Sequence, residues 1–177
     1  MGNMGNSGFD RDRLRKMTMA ALFAALAVLL SPLSVPVGPS KCFPVQHAVN
    51  ALAGVMIGPW WACGAAFTAS FVRNALGTGT LLAFPGSMFG ALAVGFAAHF
   101  LNEKNRFWAA LAEPFATGTL GALVATFIAS GNINAAIFGT LAFAFLVSSV
   151  PGAIIGCFAL RVLNKGFLKL KSSSFIA

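Results

Sequence analysis

The sequence predicts an all-α integral membrane protein with six transmembrane helices, on three observations. Of the 177 residues, 58% are hydrophobic and only 9% are charged, whereas soluble domains carry about 25% charged residues. The mean hydropathy is +0.82. Apolar runs divided by short breaks fill residues 17–163, which leaves room for six spans with short turns, each needing about 20 residues. The chain therefore forms one membrane domain between two tails.

The N-terminal tail, residues 1–16, is rich in glycine and asparagine and ends in a basic run. We expect this tail to be disordered. The first span, residues 17–30, follows it directly. A basic stretch before an apolar one is also typical of a secretory signal peptide. However, no clear small-residue cleavage site follows, and the rest of the chain is just as apolar, so we interpret the segment as a span.

The breaks between the later spans contain glycine, proline and polar residues. Residues 31–44 hold four prolines, which exclude a regular helix and predict a loop of extended pieces. Gly58-Pro59 separates the second span from the third, and Pro151-Gly152 predicts a kink in the sixth. The five later spans are predicted at residues 45–58, 60–76, 85–101, 108–129 and 135–163. The basic tail, residues 164–177, ends the chain.

The basic residues predict the orientation. The N-terminal run, the 102–107 loop and the chain from Arg161 onward hold all but two of the 12 lysines and arginines. Six crossings place these regions on one side, and cytoplasmic loops collect Lys and Arg. We therefore expect both termini in the cytoplasm and a multi-pass location in the cell membrane. Trp60, Trp61 and Trp108 fall at the same interface, where indole rings are enriched.

The two other basic residues, Lys41 and Arg73, fall toward the outer side among polar residues. Arg73 lies about 20 Å above the start of its span, and ionisable groups inside a bilayer suggest function by default. We expect a substrate-binding pocket roofed by the proline-rich loop. The alternative is that these groups cap helix ends and satisfy broken backbone. The predicted site residues are Lys41, Gln46, His47, Asn50, Arg73, Asn74, Thr78, Thr80 and Ser87.

The acidic residues predict what the pocket binds. None of the four, Asp10, Asp12, Glu103 and Glu113, falls on the outer side in this topology. A cation would need a carboxylate or an aromatic cage, so we expect a neutral or anionic ligand with acceptor atoms. Glu113 precedes Pro114 about one turn into the fifth span, which is typical of a helix start whose dipole favours the carboxylate. A proton relay is the alternative.

Several functions lack the residues they need. No GxxxxGK[ST] loop is present for ATP, and the three cysteines lie too far apart in sequence for a metal site or a disulfide framework. Ser87 and His99 would lie about 18 Å apart on one helix, too far for a catalytic dyad. We expect no enzyme activity, no cofactor, no metal and no nucleic-acid partner. A stand-alone channel or carrier would need more intramembrane acids or a repeated half.

Small residues four positions apart form a flat strip on the first span. Such spacing lets helices approach closely in lipid. The strip could pack inside the molecule or dock a partner protein. Its members are Ala20, Ala21, Ala24 and Ala25.

Three stretches resemble the ThiW family. The members of this family are identified as substrate-binding (S) components of energy-coupling factor (ECF) transporters. They are VPVGPSKCFPVQHAVNALAGVMIGPWWA at 35–62, RNALGTGTLLAFPGSMFGALAVG at 73–95 and EPFATGTLGAL at 113–123. The resemblance implies an S-component-like bundle that captures hydroxyethylthiazole, the thiazole precursor of thiamin. It also implies a transmembrane coupling protein and two ATPase subunits as partners, docked on Ala20, Ala21, Ala24 and Ala25.

The resemblance supplies no ligand motif that transfers residue by residue. A neutral thiazole suits a donor-rich pocket without acids. Arg73 and Lys41 also fit a phosphorylated or carboxylated thiazole, and another vitamin-related compound or a secondary carrier stays open.

Overall fold

A computed structural model describes residues 4–37 and 40–173, with side chains described for residues 10–34 and 42–164. These residues form a bundle of helices and one short β-hairpin. The first elements are α1 (Met4–Leu29), β1 (Val35–Val37), β2 (Ser40–Cys42), α2 (Pro44–Ile57), α3 (Pro59–Ala75) and α4 (Ala83–Phe100). The strands pair antiparallel, with Val35 opposite Cys42. The proline-rich loop thus contains two strands where only extended pieces were expected.

The fifth helical segment, Glu103–Ser130, changes its helix type along its length. It consists of a 3₁₀ helix (Glu103–Leu111), α5 (Ala112–Ala116), a π-helical turn (Thr117–Gly121) and α6 (Ala122–Ser130). The last helix, α7, is Ala135–Ser173 and contains Pro151. Helices therefore occupy the six regions that were predicted to be spans.

The N-terminal tail is largely helical, although we expected it to be disordered. Residues 4–16 are helical and continuous with the first apolar run, as α1 begins at Met4. Lys16 Nζ lies 2.9 Å from Asp12 Oδ2, one turn earlier, and such pairs support a helix that the apolar run has already nucleated. At the other end, α7 continues through residues 164–173 of the predicted tail.

Helix α2 lies at the centre of the bundle, in contact with α1, α3, α4 and α7. Glycines let α7 approach it. A Cβ at Gly152 would lie 2.5 Å from the Cβ of His47, and one at Gly156 would lie 2.8 Å from the Cβ of Ala51. This close packing through small residues is typical of helices in lipid.

Large apolar side chains cover the outside of the described bundle. Phe100, Phe115 and Phe158 are among the most exposed, which suits contact with acyl chains rather than water. Among the described residues, three helical segments are long and apolar enough to cross a membrane by length and composition: Ala83–Phe100, Glu103–Ser130 and Ala135–Asn164. Helix α2 has 14 residues, about 21 Å, and is shorter than a full span.

The two ends of the bundle differ in character. At one end, Asn164 Nδ2 donates to the Glu103 carbonyl at 3.0 Å, and Arg161 lies 5.6 Å from the Phe107 ring centre. His99 and Arg106 line a small cleft at this end. The β-hairpin and the turn of residues 76–82 lie at the opposite end, because α3 runs from one end to the other. The basic residues Arg106 and Arg161 thus lie at the end of the bundle opposite the polar residues of the 76–82 turn.

Candidate functional site

A cavity of about 730 Å³ opens at the hairpin end of the bundle, within the size range of small-molecule sites. Its walls are formed by residues 31–34 after α1, the N-terminus of α2, the turn of residues 76–82, the start of α4 and the first half of α7. The structure brings most of the predicted site residues together there. Those that line the cavity are Gln46, His47, Arg73, Thr78, Thr80 and Ser87.

Two of the other predicted residues, Asn50 and Asn74, are not among those that line the cavity. Asn50 is buried beside it, and its Nδ2 lies 3.4 Å from the Ser87 carbonyl oxygen. Asn74 Nδ2 donates to the carbonyls of Ser70 at 2.9 Å and Thr80 at 3.1 Å, so it holds the turn after α3. The side chain of Lys41 lies outside the described residues.

Gln46 and Ser87 join α2 to α4 at the wall of the cavity. Gln46 Nε2 donates to Ser87 Oγ at 2.6 Å, and both side chains are buried. Within the described residues, the side-chain amide oxygen of Gln46 accepts no hydrogen bond and the Ser87 hydroxyl donates none. One acceptor and one donor therefore remain for a ligand.

His47 lines the cavity, at what we call its floor, and is paired with a buried acid that is not itself part of the lining. His47 Nδ1 is hydrogen-bonded to Glu113 Oε1, and Glu113 is fully buried. The Thr117 hydroxyl lies 3.2 Å from the same carboxylate oxygen and 3.0 Å from the Gly86 carbonyl. Glu113 Oε2 has no described partner. The carboxylate fixes the imidazole, and Nε2 is left without a described partner.

The expectation that no acid lies near the site is therefore wrong. Glu113 does lie in the first turn of α5, as expected, but α5 is not the start of the segment. The 3₁₀ helix Glu103–Leu111 precedes it, and a 3₁₀ helix rises about 2.0 Å per residue where an α-helix rises about 1.5 Å. This steeper rise carries Glu113 into the bundle, against His47.

Arg73 is buried at the end of α3, with 1% of its surface exposed. Its Nη2 donates to the Thr78 carbonyl at 3.3 Å, and its guanidinium carbon lies 4.1 Å from the centre of the Phe43 ring. The Arg73 carbonyl accepts from the backbone N–H groups of Thr78 and Gly79. Its Nε has no described partner. The turn thus wraps a guanidinium that is held in place but incompletely paired.

Sequence reasoning missed the contribution of α7. Phe145 and Ser148 line the cavity, and Ser148 Oγ accepts from the Phe43 backbone N–H at 3.3 Å. A signal was present in the adjacent serines Ser148 and Ser149, which stand inside an apolar span close to Pro151. Polar residues within a span face the protein interior.

The alanine strip of α1 is divided between two faces. Ala24 is buried against α2 and α3, and Ala20 packs against the same cluster. Ala21 and Ala25 are exposed. Adjacent residues on a helix point in different directions, so four alanines cannot form one outward surface. The docking hypothesis can therefore include Ala21 and Ala25, whereas Ala20 and Ala24 pack internally.

The lining of the cavity is suited to binding a small molecule. Within the part of the chain that the structure describes, no group of three His, Cys, Asp or Glu residues could hold a metal ion. The cavity instead combines hydrogen-bonding groups with the apolar side chains of Leu82, Leu141 and Phe145. This combination is typical of a small-molecule binding site.

Comparison with solved structures defines the class of the fold. The chain is similar to the S-component for biotin from an ECF-type ABC transporter, with a TM-score of 0.62, 18% identity, and coverage of 93% of this chain and 95% of that one. The S-component-like fold predicted from the sequence is confirmed.

The family follows from the sequence itself. Residues 17–166 match the model of the thiamine-precursor transporter protein family, ThiW. The chain belongs to this family of transporter proteins, as its resemblance predicted. No curated protein matches the chain.

Proposed function

We propose that this chain is the substrate-capture subunit of an ATP-driven ECF importer and that it binds the thiamin precursor hydroxyethylthiazole. The observation that carries the proposal is the cavity at the hairpin end, with its buried hydrogen-bonding side chains. Its occurrence in a ThiW family member with an S-component fold favours capture of a vitamin precursor. Chemical conversion has no comparable support.

The cavity matches the chemistry of a hydroxyethylthiazole. The ring nitrogen and the hydroxyl oxygen accept hydrogen bonds, and the hydroxyl also donates one. Ser87 offers a donor, Gln46 an acceptor, and His47 Nε2 either role according to its protonation. Phe145 and Leu82 provide apolar surface for the ring. The β-hairpin above the cavity is the proposed lid.

The proposed topology has six crossings with both termini in the cytoplasm. Its support is the charge at the end opposite the cavity, where Arg106 and Arg161 lie, because cytoplasmic loops collect basic residues. The cavity then opens on the outer face of the cell membrane. Helix α2, which is shorter than a full span, is largely buried among its neighbours and so need not face lipid along its whole length.

The proposed partners are a transmembrane coupling protein and two ATPase subunits, which supply the energy. The exposed alanines Ala21 and Ala25 make a flat face on α1, beside apolar side chains such as Leu22 and Leu26. Small residues on an exposed helix face permit close approach of a partner helix. We place the docking surface there.

Uptake of labelled hydroxyethylthiazole tests this function against a stand-alone carrier. The chain is expressed in a host without its own ECF proteins, alone or together with a coupling protein and the ATPases. We expect accumulation only with the full set, and its loss when the ATPases carry a substituted phosphate-loop lysine. Equal accumulation by the chain alone would establish a secondary carrier and refute the proposal.

A further inference from the structure

We infer that the preferred ligand is a small heterocycle bearing an anionic group, a carboxylate or a phosphate monoester, and that Arg73 binds this group. The inference deepens the proposed function and rests on it, since the cavity and the subunit's role are the same. It changes the expected ligand from the neutral alcohol to a charged form of the same ring.

The charge of Arg73 is buried. Arg73 is 1% exposed and lines the cavity, and an isolated buried charge is strongly unfavourable unless it is paired. Its described partners are uncharged: the Thr78 carbonyl and the Phe43 ring. Its Nε has none. Within the described residues, the guanidinium charge therefore has no counter-charge.

The described acids are either paired with other groups or lie away from Arg73; Asp10, for example, is exposed on the N-terminal half of α1. Glu113, the buried carboxylate near the site, is engaged by His47 and Thr117. Asp12 pairs with Lys16 on α1, and Glu103 lies at the far end of the bundle. Among the described side chains, no carboxylate forms an ion pair with Arg73. A ligand is the remaining source of the counter-charge.

The Arg73 guanidinium is already held in position. The contact with the Phe43 ring and the bond to Thr78 hold it, and Phe43 is itself fixed through its backbone bond to Ser148. A planar guanidinium fork matches carboxylate and phosphate oxygens with two parallel hydrogen bonds. Pre-orientation lowers the entropy that a ligand must lose on binding.

Calorimetry on the purified full-length chain in detergent tests the inference. The probes share one ring: hydroxyethylthiazole, its phosphate ester, and the thiazolylacetate formed by oxidising its hydroxyl. Since hydrogen bonds to charged groups are the stronger kind, we expect at least one anion to bind about 10- to 100-fold more tightly than the alcohol. Arg73→Gln should abolish that preference, so that the anion binds no more tightly than the alcohol to the same variant.

A matched control separates charge recognition from general damage. Arg161 also stacks on a phenylalanine, Phe107, but at the other end of the bundle, so Arg161→Gln should keep the full preference for the anion. Arg73→Lys should keep part of it, because the charge remains and the fork is lost. The ratio of two affinities on one variant is insensitive to the fraction of folded protein.

The outcomes also separate this inference from the proposed function. If the alcohol binds as tightly as the anions, or if Arg73→Gln keeps the preference, the inference is overturned while thiazole capture stands. If no thiazole binds, the thermal unfolding temperature in phosphate or acetate is compared with that in chloride at equal ionic strength, which tests whether Arg73 binds an anion. Stabilisation that requires Arg73 would support anion binding without a thiazole, and no such stabilisation would overturn it.

Discussion

At the residue scale, the pairing of His47 with Glu113 depends on the absence of a side chain at Gly90. A Cβ built on Gly90 would lie 2.5 Å from Glu113 Oε1 and 2.6 Å from Thr117 Oγ1. Both contacts are far inside van der Waals distance, and the atoms concerned are held by hydrogen bonds. The glycine therefore makes room for the buried acid that orients the floor of the cavity.

Gly90→Ala should consequently destabilise the protein. Overpacking of a well-packed interior costs about 1–3 kcal/mol, and the added methyl would displace Glu113 from His47. Denaturant titration of the purified protein measures the change. Gly64→Ala is the matched control, because nothing lies within 4 Å of a Cβ there, and helix propensity alone should stabilise that variant by about 0.5–1 kcal/mol. Equal effects of the two substitutions would contradict the packing argument.

Removal of the acid should be more harmful than its neutralisation. Glu113→Ala leaves His47 Nδ1 buried without its partner, which costs about 1–3 kcal/mol. Glu113→Gln keeps an oxygen that can accept from His47 and should cost less. Unfolding free energies of the two variants, with Glu103→Gln as an exposed control, measure the order. A Gln variant that is less stable than the Ala variant would show that the charge, rather than the hydrogen bond, holds His47.

At the scale of elements, the crossing of α2 and α7 positions two of the walls of the cavity. Gly152 and Gly156 bring the two helices together, and His47 faces the crossing directly. The cavity residues Phe145 and Ser148 lie about one to two turns before Gly152 on α7. A change in the separation of the helices is therefore transmitted to the site.

Gly152→Ala should lower both stability and ligand affinity. The new methyl would lie 2.5 Å from the Pro44 carbonyl oxygen and from the Cβ of His47, and the backbone of α2 cannot move aside as a flexible side chain can. We expect a loss of about 1–3 kcal/mol in unfolding free energy. Gly139→Ala in the same helix meets no atom within 4 Å; it should leave ligand affinity unchanged and, like Gly64→Ala, should not lower stability. Wild-type affinity in the Gly152 variant would show that the crossing does not shape the site.

Much of the fold was predictable because apolar runs and proline or glycine breaks act locally. The six helical regions and the gathering of Gln46, His47, Arg73 and Ser87 follow from span order and length. The partner of Glu113 was not predictable, since a 3₁₀ start shifts every later residue along the bundle axis. The role of α7 was missed because its serines stand in a run with little other polar signal. The hairpin in the proline-rich loop depends on hydrogen-bonded pairing of β1 with β2, and residue composition alone does not predict this pairing.

At the scale of the whole molecule, the site and the proposed docking face lie on separate surfaces. The cavity opens at the hairpin end, while Ala21 and Ala25 are exposed on the side of α1. Ligand capture and association with a coupling protein can therefore be altered independently.

Ala21→Trp and Ala25→Trp should abolish uptake while ligand binding by the isolated protein is preserved. A large side chain on this face keeps a partner helix from close approach and does not reach the cavity. Ala129→Trp on α6, which is also exposed, serves as the control and should support normal uptake. Uptake by cells and ligand binding by the purified protein are measured for the α1 variants and for the control. Normal uptake by the α1 variants would show that the partner docks elsewhere.

The central claim is that the cavity at the hairpin end captures the thiazole, and blocking this cavity tests it most directly. Ala144 lines the cavity from α7, so Ala144→Phe should fill it, while Ala129→Phe adds the same bulk on the outside. Calorimetric titration of the purified protein with hydroxyethylthiazole and its anionic forms gives the affinity. We predict that the wild type and Ala129→Phe bind at least one of these thiazoles tightly and with one-to-one stoichiometry. In Ala144→Phe the affinity for that ligand should fall at least about tenfold, which equals about 1.4 kcal/mol. Unchanged affinity in Ala144→Phe would contradict the account.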